Sequence, residues 1–284
     1  MSGQSSDSPV FVITGCSSGF GRELTIAALA SGFRVIATAW RVESLTNLEA
    51  RGAKILPLDV TASVPDIAAF AAQAIAIYGQ VDYLVNNAGS VQSGPAEEVS
   101  PAGTLQQFNT NFFGLVNTTN AFLPHFGSRR TGTLVNISSE SATISTVAAG
   151  IYSASKAAVN TISDTWASEL AEYGIRSIAV QPGLFRTNVL TAKNMQLAAG
   201  TIDGYALVHG TIAFIAANVV GNEPGDPAKA APKIIELVTR PEISIPLRFV
   251  VGDDAVAHLK EFYEKRIAEI EAARDLGTGT SFTA

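Results

Sequence analysis

Short apolar runs rich in β-branched residues alternate along this chain with longer stretches of helical composition. Val10–Thr14, Arg34–Ala39, Lys54–Leu58, Val81–Val85, Thr133–Ile137 and Arg176–Val180 read as strands, with Ser244–Val251 as a last one. Gly21–Ala30, Val42–Arg51, Thr61–Tyr78, Thr104–Phe126 and Tyr152–Glu172 read as helices, and Ala255–Arg274 as a charged surface helix. Thr61–Tyr78 is entered through Ser63-Val64-Pro65-Asp66, where proline is tolerated in the first turn. Strands alternating with helices require right-handed βαβ crossovers, hence a mostly parallel sheet of about seven strands covered on both faces. The pattern predicts an α/β fold, one doubly wound domain over residues 9–284, with neither repeat nor low-complexity linker. Residues 184–226 fit the alternation worst, with Gly, Asn and Thr interruptions, and are expected to form an irregular, mobile insertion. Residues 1–8 are polar and are expected to be a disordered tail.

Composition narrows the function classes without choosing one. An apolar content of 47% with 15% charged residues supplies a sizeable core. The formal net charge is −6 and no Lys/Arg run occurs, which argues against a nucleic-acid partner. Cys16 is the single cysteine, so an intramolecular disulfide is impossible and a reducing compartment is compatible. The first nine residues lack a secretory leader pattern, and no apolar run is long enough to span a bilayer; a cytoplasmic protein without a membrane span is the expectation. His125, His209 and His258 are scattered, with no carboxylate at ligand spacing, so no metal site is expected.

Chemistry enters at Thr14-Gly15-Cys16-Ser17-Ser18-Gly19-Phe20-Gly21, between the first strand and the first helix. Glycines there let the backbone turn sharply and approach a pyrophosphate at the unpaired N–H groups of a helix N-terminus. The spacing is G-x-x-x-G-x-G, and no Gly-Lys-Ser/Thr ending marks a triphosphatase loop. The second signal is Tyr152-Ser153-Ala154-Ser155-Lys156. Four residues apart on a helix, the phenol and the ammonium share a face, and the ammonium is expected to lower the phenol's pKa. Tyr152 is the only tyrosine followed by a lysine at that spacing. Cys16 reads as a tolerated position in the turn, and Glu97-Glu98 as a solvated loop.

Together with Asn86-Asn87-Ala88-Gly89, Asn111 in Asn-Phe-Phe-Gly, Ser139 and Pro182-Gly183 with Thr187, these motifs resemble the short-chain dehydrogenase/reductase family, in unbroken order from Val10 to Thr187. Gly94-Pro95-Ala96-Glu97-Glu98 and Asn109–Gly114 are similar to its steroid- and retinol-type branch. The resemblance implies a Rossmann-type domain and an oxidoreductase in which Tyr152 exchanges a proton with a carbonyl or alcohol oxygen. Ser139, thirteen residues earlier, would hold that oxygen, with Ser138 ranked second. Lys156 would bind the nicotinamide ribose and tune Tyr152, and Asn111 would anchor a water for proton resupply. Gly15, Ser17, Ser18, Gly19, Phe20, Gly21, Asn87, Ala88, Gly89, Pro182, Gly183 and Thr187 would line the cofactor. Asp59-Val60 would border its adenine, although Asp59 could equally cap a helix. A homodimer or homotetramer is implied as well. A cofactor-binding regulator, or an epimerase or dehydratase on the same fold, is the alternative.

The second strand ends Ala37-Thr38-Ala39-Trp40-Arg41, with no acid for the adenosine ribose hydroxyls. NADP(H) is therefore the expected cofactor, with Arg41 on the 2′-phosphate and NAD(H) possible. Residues 184–226 carry more large apolar groups than anchoring needs, including Phe185, Leu190, Met195, Leu197, Tyr205, Leu207, Val208, Phe214 and Ile215. A lid over a neutral, lipophilic ketone or secondary alcohol is the expected small-molecule partner site.

Overall fold

The computed structural model describes residues 8–191, 194–198, 200–240 and 242–282. The tail expected at residues 1–8 lies outside them except for Ser8. Among the described residues the strands are β1 (Val10–Ile13), β2 (Arg34–Ala39), β3 (Lys54–Pro57), β4 (Tyr83–Asn86), β5 (Val91–Ser93), β6 (Gly132–Ile137), β7 (Ile175–Pro182), β8 (Met195–Leu197) and β9 (Arg248–Val251). Seven of them form one sheet in the order β3-β2-β1-β4-β6-β7-β9, and every pairing in it is parallel. The chain runs outward from β1 to β3, then returns beside β1 with β4 and runs outward the other way. That reversal opens a crevice at the carboxyl ends of β1 and β4, where doubly wound folds bind ligands.

Successive strand residues point to opposite faces, and the two cores follow that period. Phe11 and Ile13 enter one core with Val35, Ala37, Val85 and Val135. Val10 and Val12 enter the other with Ile36, Leu84 and Leu134. The first core is roofed by helices Gly19–Ala30 and Pro227–Thr239, the second by Val64–Tyr78, Gly114–Arg129 and Gly150–Glu169. Full burial of side chains such as Phe11, Ile36 and Phe122 contributes about 1.5–3 kcal/mol each. Val64–Tyr78 is capped by Ser63, whose hydroxyl accepts from the Asp66 N–H at 3.3 Å, and ends at Gly79 in the left-handed conformation.

Several elements differ from the sequence reading. Val42–Arg51 is a 3₁₀ turn over Val42–Leu45 and one short helix over Thr46–Glu49. The expected Thr104–Phe126 helix starts at Pro101, widens into a π-helical turn at Asn109–Phe113 and runs on to Arg129. Helix Pro227–Thr239 has no counterpart in the sequence reading; Ala230, Ala231, Ile234, Ile235 and Val238 form its buried stripe at helical spacing. The 184–226 segment has structure of its own. β8 pairs with β5, Ala206–Phe214 is a helix, and Ile215–Val219 is a second π-helical turn.

Candidate active site

The first βα turn and the loop after β4 meet at the crevice. Gly15 (φ 69°) and Gly19 (φ 55°) adopt left-handed backbone that disfavours side chains. A Cβ on Gly15 would lie 2.8 Å from Ala88 Cα, and one on Gly21 2.5 Å from both the Gly15 carbonyl oxygen and Asn87 Nδ2. Asn87 fastens the turn, donating to the Thr14 and Gly15 carbonyls at 2.8 and 3.1 Å. Asn86 ties β4 to β6 through Asn136 Oδ1 at 2.9 Å. Helix Gly19–Ala30 points its N-terminus at this cradle with no side-chain cap from Ser18, which leaves its first N–H groups for an anion. Cys16 is buried in the turn, its thiol donating to the Ile13 carbonyl, and burial pushes that thiol up to about 11, which disfavours the thiolate that a nucleophile needs.

A cavity of about 890 Å³ opens above the cradle. Gly15, Ser17, Ser18, Gly19, Phe20, Asp59, Val60, Asn87, Ala88, Gly89, Ser139, Tyr152, Lys156, Pro182, Gly183 and Thr187 all line it. Gly21, expected to line the cofactor as well, does not reach the cavity: it is buried in the helix against the Gly15 carbonyl and Asn87. Asp59 serves the turn as well, its Oδ1 accepting from the Thr61 N–H and hydroxyl at 2.8 and 2.7 Å. Arg41 does not reach the lining; it is exposed beside Trp40, which does line the cavity and is 77% exposed at its rim.

At the far end helix Gly150–Glu169 brings the tyrosine and lysine together. Ser139 caps the 3₁₀ turn Glu140–Ala142, its hydroxyl accepting from the Ser141 N–H at 3.1 Å, and lines the cavity with Tyr152. Ser138 lines the cavity too, but it is buried and its hydroxyl is engaged with the Lys156 carbonyl at 3.2 Å, which leaves Ser139 as the serine with the freer hydroxyl. Lys156 is 5% exposed; its Nζ donates to the Ile137 carbonyl at 2.7 Å, and burial lowers its pKa to about 8. Asn111 sits in the π-helical turn Asn109–Phe113, where it accepts from the Ser90 N–H at 2.9 Å and donates to the Ser90 carbonyl and Ser155 hydroxyl, each at 3.1 Å. A Cβ on Gly89 would lie 3.3 Å from Asn111 Oδ1 and 3.6 Å from Lys156 Nζ, so a glycine there lets the two approach one point.

One electrostatic expectation is overturned. The Tyr152 phenol is raised, not lowered, because burial penalises the phenolate and outweighs the lowering effect of neighbouring Ser139, with the Glu140 carboxylate raising it further. The Glu97-Glu98 reading changes too. Glu98 is buried under the 184–226 segment, accepting from the Ile202 N–H at 2.7 Å and pairing with His209 at 2.9 Å, while Glu97 accepts from the Tyr205 hydroxyl at 2.7 Å. Two histidines thus do meet carboxylates in space, His209 with Glu98 and His258 with Glu140, although no group of three metal-ligand side chains gathers among the described residues. His125 accepts from the Val81 N–H at 3.1 Å, and burial lowers it; its role is structural.

Of the apolar residues singled out in the 184–226 segment, Phe185, Leu190, Met195 and Ile215 line the cavity, joined by Ile212 and Val219. Leu197, Leu207 and Phe214 face solvent, and Lys193 lies outside the described residues. No helix among the described residues is long and apolar enough to cross a membrane.

Comparison with known proteins agrees with this geometry. The short chain dehydrogenase family profile matches residues 9–198. The oxidoreductase YusZ of Bacillus subtilis is 32% identical over 254 residues, covering 86% of this chain and 89% of its own. A crystal structure of a short-chain dehydrogenase from Streptomyces avermitilis superposes with a TM-score of 0.88 at 37% identity, over 98% of this chain and 100% of that one. A variant of the actinorhodin polyketide ketoreductase, solved with NADPH, gives 0.73 at 30% identity over 87% and 97%. With the glycine cradle and the Ser139–Tyr152–Lys156 constellation in place over the matched stretch, this chain belongs to the short-chain dehydrogenase family.

Proposed function

We propose that this protein transfers hydride between NADP(H) and a neutral, lipophilic ketone or secondary alcohol. The observation that carries the reading is the gathering of Ser139, Tyr152 and Lys156 on the wall of one cavity whose floor is the glycine cradle. The cradle fits a dinucleotide, since Gly15, Ser17, Ser18 and Gly19 line the cavity at a helix N-terminus that no side chain caps. NADP(H), when bound, supplies or accepts the hydride. The residues do the rest. Ser17, Ser18, Gly19 and Phe20 offer the helix terminus to its phosphates, and Asn87 to Gly89 and Thr187 flank it.

In reduction, Tyr152 gives its proton to the carbonyl oxygen while Ser139 holds that oxygen through a second hydrogen bond. Donors fixed in a water-poor site stabilise a developing alkoxide without reorganising. Lys156, mostly protonated at neutral pH, holds the ribose hydroxyls and resupplies the proton relay through Asn111. The absence of an acid at Ala39 and the exposed Arg41 at the adenosine rim support NADP(H) over NAD(H).

Residues 184–226 act as the substrate lid in this reading, held down by Glu97 and Glu98. Leu190, Met195, Ile212, Ile215 and Val219 present an apolar wall, and among the described residues no arginine lines the cavity to select a phosphate or carboxylate. Steady-state reduction of a homologous ketone series tests this. Catalytic efficiency should climb by about 0.8 kcal/mol per buried methylene, roughly fourfold per step, and Ile215→Ser should flatten the climb. Small charged keto acids outperforming every bulky neutral ketone would overturn the substrate class.

A further inference from the structure

Among the described residues, two that are not glycine hold left-handed backbone. Arg130 (φ 49°) stands where that conformation commonly stops a helix, at the end of Gly114–Arg129. Ala148 (φ 67°) stops nothing. It is buried in the cavity wall just before helix Gly150–Glu169, which carries Tyr152 in its first turn. In left-handed backbone the alanine Cβ crowds the following carbonyl oxygen, so the surroundings have to hold the residue there.

The helix supplies no hold of its own, since Ala149 at its N-cap has no side chain to offer the first N–H groups. The hold comes from β5. The Ala148 carbonyl accepts from the Ser93 hydroxyl at 3.1 Å and from the Gly94 N–H at 2.8 Å. Ser93 is buried, which keeps water from competing for its bond. It lines the cavity too, yet a hydroxyl has one proton to give, and this one goes to Ala148. The lid strand β8 backs the same corner. It pairs with β5, placing Leu197 beside Ser93, and the Ser93 carbonyl accepts from the Ala198 N–H at 2.8 Å. A Cβ on Gly94 would lie 2.6 Å from that of Ala198, so only glycine lets the lid strand close so tightly on this corner.

We propose that Ser93 is a positioning residue for Tyr152: its hydroxyl holds Ala148 in left-handed backbone and thereby fixes where the helix that carries the tyrosine begins. The inference rests on the function proposed above, in which Tyr152 meets the substrate oxygen. Without the hydroxyl, only the Gly94 N–H holds the Ala148 carbonyl against the crowding, and the segment relaxes toward ordinary backbone. Tyr152 follows within about one helical turn, so a change in those dihedrals swings the phenol away from the reacting oxygen. Glycine at 148 would feel no crowding and would need no hold.

The test compares the parent with Ser93→Ala, Ala148→Gly and the double variant. Reduction of a bulky neutral ketone by NADPH is measured beside hydrogen exchange of the peptide spanning residues 146–156. Ser93→Ala should lower kcat by about ten- to a hundredfold, the loss that a misplaced catalytic group produces, with a smaller change in KM. Exchange at the start of the helix should quicken with it. Adding Ala148→Gly to Ser93→Ala should return most of the lost turnover and bring the exchange back toward the parent's, because the crowding that Ser93 opposes is gone. Parental kcat in Ser93→Ala overturns the proposal. So does a defect confined to KM, as a direct substrate contact would give, or a double variant no more active than Ser93→Ala, as simple loss of packing would give. Should the parent itself turn over no carbonyl compound, the proposed function fails, while exchange across the same variants still upholds or overturns the hold of Ser93 on the helix.

Discussion

Tyr152→Phe should reduce turnover by about a hundred- to ten-thousand-fold, the range that a positioned proton donor contributes. The substitution removes one oxygen and keeps the ring, so helix Gly150–Glu169 loses no apolar packing. Lys156 keeps its bond to the Ile137 carbonyl and remains available to the cofactor ribose. NADPH affinity should therefore be nearly intact, which separates a chemical defect from a binding one. The paired measurements are single-turnover reduction and a fluorescence titration with NADPH. Undiminished turnover in the variant would remove Tyr152 from the mechanism and with it the assignment of Ser139.

Arg41→Ala should weaken NADPH binding by about 1–3 kcal/mol, the range of a hydrogen bond to a charged partner, while leaving NADH nearly unchanged. The physical basis is the end of β2. Ala39 leaves the adenosine ribose without a carboxylate acceptor, and a 2′-phosphate of roughly −1.5 to −2 charges needs a cation nearby. Arg41 follows directly, exposed and free to swing, beside Trp40 on the cavity rim. Its exposure also predicts that the preference fades as ionic strength rises, since salt screens surface charges. Calorimetric titration of both cofactors into parent and variant measures this. Equal dissociation constants for NADPH and NADH in the parent would contradict it.

The sheet and the cradle were legible because each rests on local chemistry. β2 matches its expected bounds, Arg34–Ala39, since Val35, Ile36 and Thr38 favour extended backbone. Gly15 and Gly19 announce left-handed turns, and the Tyr152/Lys156 spacing puts both on one helical face before any packing is known. What stayed hidden depends on distant partners. Glu98 reads as a surface residue until His209 and the Ile202 N–H arrive from more than a hundred positions away. Glu140 and His258 are separated by a similar stretch of chain. The π-helical turn that points Asn111 at Ser90 and Ser155 leaves no mark in the apolar periodicity, which one extra residue per turn shifts only locally. The raised Tyr152 phenol was missed for a related reason. Spacing shows a lysine one turn along, but not the burial that raises the phenol. Helix Pro227–Thr239 did carry a usable signal: Asp226 caps it, accepting from the Ala228 N–H at 2.9 Å, and Pro227 occupies its first turn.

Hydride transfer itself is the claim on which the rest depends, and isotope labelling reads it directly. NADPH carrying deuterium on the transferable position of the nicotinamide is incubated with the protein and a bulky neutral ketone, and the product is analysed by mass spectrometry and NMR. The expected product is the secondary alcohol with deuterium on its carbinol carbon, formed in step with NADP⁺. Recovery of unlabelled ketone across the panel, or of an isomerised or dehydrated product with NADPH unconsumed, would contradict the account.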